Sequence, residues 1–87
     1  MSRSARRIRK SVHSPEQHLL RELLVAAREK AEITQQRLAQ RLGTHQSFVA
    51  KYEGGERRLD VIEFIVIARA IGADPVRILR ALAKKMA

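Results

Sequence analysis

At 87 residues the chain has room for one small domain, since a chain of this size buries only about 60% of its extended surface on folding. With 45% apolar residues, one Tyr, two Phe and no Trp, the core must be aliphatic, and the lack of Cys excludes disulfides, thiolate zinc sites and thiol nucleophiles. A net charge of +9 points to a polyanionic partner, while no apolar run approaches the roughly 20 residues that cross a bilayer, so a cytoplasmic chain without a membrane role is expected.

Residues 1–13 have no apolar period and are expected to form a flexible basic arm. The arm holds Arg3, Arg6, Arg7, Arg9 and Lys10 and none of the nine acidic residues. The folded domain is expected over residues 14–87. Ser14, Pro15 and Gln17 read as an N-cap, a first-position proline and a capping-box partner. Leu20, Leu23, Leu24, Ala27 and Ala31 then repeat at helical spacing, giving a first helix that ends near Ala31. Thr34 is suited to cap a second, two-turn helix with Leu38, Ala39 and Leu42 inward, closed by Gly43 in a left-handed conformation. Residues 44–47 offer caps for a third helix carrying Phe48, Val49 and Tyr52, stopped by Gly54 and Gly55.

Asp60 and Glu63 form a second capping box, ahead of a fourth helix that Gly72 ends. Its inward residues are expected to be Val61, Phe64, Ile67, Ala68 and Ile71. Asp74 and Pro75 begin a fifth helix, with Val76, Leu79 and Leu82 as the inward stripe and Lys84 and Lys85 at the negative end of its dipole. No segment alternates as a half-buried strand would. The expected fold is all-α, a compact bundle of five short helices.

Two short helices joined by a glycine-containing turn, the second with a polar outer face, describe a helix-turn-helix. Ala39 is small enough for the second helix to cross closely, and Val49 anchors that helix inward. Gln46, Ser47, Ala50 and Lys51 then fall on or near the opposite face.

The stretch TQQRLAQRLGTHQSFVAKY at 34–52, followed by EGGERR, resembles the helix-turn-helix domains of Cro and the phage repressors, often called the XRE family. The likeness runs from about Leu19 to Leu82. SPE at 14–16 and QSFVAKYEGGERRLD at 46–60 are similar to the small solitary bacterial members. It implies a lambda-repressor-like domain that binds double-stranded DNA. Gln46, Ser47, Lys51 and Ala50 match base-facing positions, where a Gln pairs bidentately with adenine and the Ala50 methyl meets a thymine methyl or nothing. Thr34, Gln35, His45, Tyr52, Arg57 and Arg58 match the places that touch the DNA backbone, with Tyr52 and Glu53 also fixing the end of the reading helix. Phe48 is expected to pack against the fourth helix or the turn, or else to touch DNA. Glu56 is expected to pair with a neighbouring Arg.

The arm either enters a narrow minor groove or adds sequence-independent, salt-dependent affinity. Ile62, Ile65 and Val66 exceed what the core needs and suggest a homodimer interface, unless the fifth helix covers them. The resulting reading is a transcriptional regulator, expected to be a repressor, that acts as a homodimer on a palindromic operator. The alternative is a protein-interaction module, such as an antitoxin or accessory subunit, with a heterologous protein partner. His13, His18 and His45 form no recognisable set with the acids, so neither an enzyme nor a metal or other cofactor is expected.

Overall fold

The computed structural model describes residue 8 and residues 11–86. The arm residues Arg3, Arg6, Arg7, Arg9 and Lys10 lie outside the described residues. The architecture is all-α, with helices α1 (Pro15–Lys30), α2 (Gln35–Leu42), α3 (Gln46–Glu53), α4 (Val61–Ile71) and α5 (Pro75–Met86).

Local chemistry sets most of the boundaries. The Ser14 hydroxyl accepts the Gln17 amide at 3.2 Å and the Thr34 hydroxyl accepts the Arg37 amide at 3.0 Å, each meeting one of the unpaired donors of a first turn. At α4 the capping box is complete: the Glu63 amide donates to Asp60 Oδ1 at 2.7 Å, and the Asp60 amide donates to Glu63 Oε1 at 2.9 Å. Gly43 ends α2 at φ 70° and Gly72 ends α4 at φ 88°, backbone that a Cβ disfavours. Between α1 and α2, Ile33 and Leu38 flank the Thr34 cap and are both buried, the arrangement of a hydrophobic staple.

Leu24 of α1, Leu38 and Ala39 of α2, Val49 and Tyr52 of α3, Phe64, Ile67, Ala68 and Ile71 of α4 and Ile78 of α5 make one continuous core. The most extensive helix pairs are α2 with α3 and α1 with α5. The inward faces depart from expectation in three places. Ala31 is exposed as the C-cap of α1, and Val61 is exposed because it begins α4 beyond the edge of the core. On α5 the buried residue is Ile78, with Leu82 half-buried one turn on, while Val76 and Leu79 face out. That helix carries apolar residues on more than one face, and its packing against α1 selects the Ile78 side.

Candidate nucleic-acid interface

Helices α2 and α3 form the expected pair. The Gly43 and Thr44 amides close the end of α2 onto Gln40 and Ala39 carbonyls, and α3 starts two residues later. Buried Ala39 and Val49 hold the helices together, and buried Tyr52 continues the inward stripe of α3. Opposite that stripe, Gln46, Ser47, Ala50 and Lys51 are all exposed. Spacings of one, four and five residues place these four along one outer strip of α3. His45 occupies the N-cap position, but its side chain makes no cap bond.

The expected backbone-contacting residues divide. Thr34, His45, Arg57 and Arg58 are exposed and Gln35 is half-buried. Tyr52 corrects the expectation: the side chain is wholly buried, so it cannot meet a phosphate. It lies three residues after Val49, on the inward side of α3, and burial pushes its phenol well above the ordinary range. The ring packs edge-on to Phe48, centroids 5.7 Å apart.

Arg57 is held in place by two contacts. Its Nη2 and Nη1 donate to Glu63 Oε2 and Oε1 at 2.7 and 3.1 Å, and its guanidinium carbon lies 4.7 Å from the Phe48 ring centroid. The acid that partners Arg57 is therefore Glu63, six residues on. The Arg57 guanidinium and the Asp60 amide together hold the Glu63 carboxyl below the usual carboxylate range. Phe48 takes the packing role, lining a shallow apolar groove with Leu42, Ile62 and Val66. Along α4, Ile62 is 65% and Val66 50% exposed. Ile65 is half-buried and packs against the core, so it contributes less to that outer face than expected.

Two arginines of α1 were not singled out by the sequence. Arg28 donates from Nε and Nη2 to the Glu53 carboxylate at 2.7 and 3.1 Å, and from Nη1 to the Ile33 carbonyl at 2.7 Å. The hydrogen bond to Glu53 raises the Arg28 pKa further. Glu53 also accepts from Gln35 Nε2 at 2.8 Å, and Gln35 Oε1 accepts from Gln46 Nε2 at 3.4 Å. Arg21 donates from Nη1 to the Val12 carbonyl at 2.6 Å, and its guanidinium lies against Gly55, where a Cβ would come within 3.1 Å of it. The root of the N-terminal segment is thus fastened beside the end of α3. Only the general abundance of Arg hinted at either role, since Glu53 and Gly55 are distant in sequence from α1.

His18 and Glu22 form an exposed pair across one turn of α1. Among the described residues no group of three or more His, Asp or Glu could hold a metal ion, and no helix is long and apolar enough to cross a membrane.

Two crossed helices with a glycine turn and an exposed polar strip on the second define a helix-turn-helix DNA-binding domain. Residues 24–78 match the family model described as helix-turn-helix. An XRE-family like protein from Pseudomonas syringae pv. tomato str. DC3000 is similar at 49% identity, with a TM-score of 0.82 over 87% of this chain and 93% of that one. Comparison with curated proteins gives no match. The chain belongs to the XRE family of helix-turn-helix DNA-binding regulators.

Proposed function

We propose that the chain is a transcriptional repressor of the cytoplasm that binds a palindromic operator as a homodimer. The observation that carries this reading is the outer strip of α3. Gln46, Ser47, Ala50 and Lys51 are free of the core while Val49 and Tyr52 anchor the same helix from below. Such a strip suits the major groove, where Gln46 meets adenine, Ser47 and Lys51 reach base edges or phosphate, and the Ala50 methyl lies close to a thymine methyl. Thr34, Gln35, His45, Arg57 and Arg58 flank it and contact the DNA backbone. The arm over residues 1–13 adds salt-dependent affinity, because each phosphate neutralised releases counterions.

Pairing of two copies is supported by the exposed apolar face of Ile62 and Val66, bordered by Ile65. A dimer presents two reading helices to half-sites about one helical turn apart, roughly 34 Å. The same face also suits a different protein, as an antitoxin or accessory subunit would need.

Selection from random duplexes, followed by footprinting, tests the reading. The purified chain is expected to enrich and protect a short palindrome. Replacing Gln46 by Ala should cost about 1 to 3 kcal/mol of discrimination at one base pair per half-site. No preference over random duplex, combined with tight binding to a heterologous protein, rejects the repressor in favour of the interaction module.

A further inference from the structure

The two ends of a glutamine amide are alike in shape and opposite in function: the oxygen accepts and the NH2 group donates. Which way such a group points is therefore decided by its partners. The Glu53 carboxylate is 7% exposed and already held at both oxygens by one edge of the Arg28 guanidinium, Nε on Oε2 and Nη2 on Oε1. It offers acceptors only, so Gln35 must turn its NH2 group toward Glu53, where Nε2 lies 2.8 Å from Oε1. The Gln35 oxygen then faces α3, 3.4 Å from Gln46 Nε2. An oxygen in that place accepts only a donor, and Gln46 answers with its own NH2 group.

We propose that Glu53, held by Arg28, is a specificity-determining positioning residue that sets the amide direction of Gln35 and, through it, of Gln46. The inference rests on the reading that Gln46 meets a base. With one N–H committed to Gln35, Gln46 keeps one N–H and one carbonyl for the DNA. Adenine presents an acceptor at N7 and a donor at N6, which matches that pair. Guanine presents acceptors at both N7 and O6, which sets one of them against the Gln46 carbonyl.

Glu53 Oε1 accepts from Arg28 Nη2 and from Gln35 Nε2 alike, so the informative change removes Arg28 and Glu53 together. Arg28→Met with Glu53→Met leaves neither charge buried alone and takes away the acceptor that turns Gln35. Gln35 then presents either end of its amide to Gln46, and Gln46 either end of its own to the base.

The test measures binding of the full chain to a duplex selected from a random pool and to its single base-pair variants. Gln46→Ala locates the base pair that Gln46 reads. There the unmodified chain is expected to favour adenine over guanine by about tenfold or more. The double variant Arg28→Met and Glu53→Met should cut that ratio by about tenfold, toward parity, while the ranking at other positions persists. Gln35→Met, which leaves the Arg28 and Glu53 pair in place, should bring the ratio near parity without favouring guanine. Should that double variant fail to fold in urea melts, Gln35→Met decides, because it cuts the link between Glu53 and Gln46. A uniform loss of affinity with an unchanged ratio in the folded variants overturns the inference while leaving base reading intact. If Gln46→Ala alters the ranking at no base pair, base reading by Gln46 fails, and this inference with it.

Discussion

A side chain in left-handed backbone brings Cβ close to the following carbonyl, at a cost of about 1 to 2 kcal/mol. Glu32, at φ 60°, is the non-glycine in that state among the described residues. Its surroundings explain how it is held there. The Glu32 and Ile33 amides close onto the Glu29 and Arg28 carbonyls, and the Arg28 guanidinium grips the Ile33 carbonyl and Glu53 together. The turn is thus set from both sides, and the strain persists because the network over-determines it. Glu32 is also an acid beside the negative end of the α1 dipole. Glu32→Gly relieves the steric cost but loosens the unfolded chain, an offset of about 0.4 to 1 kcal/mol. The expected net effect is a gain of about 0.5 to 1 kcal/mol in urea unfolding, with DNA binding unchanged. A loss of stability would mean that the Glu32 side chain, exposed as it is, supports the turn.

At the scale of elements, the link between α3 and α4 depends on Glu63, which caps α4 and holds Arg57 over Phe48. Its lowered pKa has a definite sign. The extra stability is present above the ordinary carboxylate value of 4.5 and is lost as pH falls through the lower folded value. Glu63→Gln keeps a residue suited to the capping box but has no charge to titrate. It should melt a few degrees below the unmodified chain at neutral pH, and the gap should close on acidification below about pH 4. A gap independent of pH would assign the loss to packing instead. The caps at Ser14, Thr34 and Asp60 and the stops at Gly43 and Gly72 were legible in the sequence because each is settled within a few residues. The inward face of α5 was not, since Val76, Leu79 and Leu82 fit helical spacing as well as Ile78 and Leu82 do, and α1 makes the choice. The site divides on the same ground. The exposed strip of Gln46, Ser47, Ala50 and Lys51 follows from the period of one helix, whereas the meetings of Arg28 with Glu53 and of Arg21 with Gly55 exist only once distant segments come together.

For the whole molecule, the question is what the outer face of α4 does. One continuous core already holds the monomer, and Ile62 and Val66 lie outside it, beside Phe48 on the reading helix. Burying such side chains contributes roughly 1.5 to 3 kcal/mol each when complete, and a two-fold axis counts every contact twice. An interface beside α3 would also fix the spacing of two reading helices, so affinity for a palindrome would depend on residues that touch no DNA. Replacing Ile62 and Val66 together by Ser tests this without opening the core, because both side chains are already half or more exposed. The variant is expected to sediment as a monomer, to keep its melting temperature at low protein concentration, and to bind an isolated half-site as before. Its affinity for the full palindrome should fall by at least about tenfold, equivalent to roughly 1.4 kcal/mol of coupling between the two copies. An unchanged mass and unchanged palindrome affinity would place the dimer contact elsewhere, with the exposed Val76 and Leu79 of α5 as the next surface to replace.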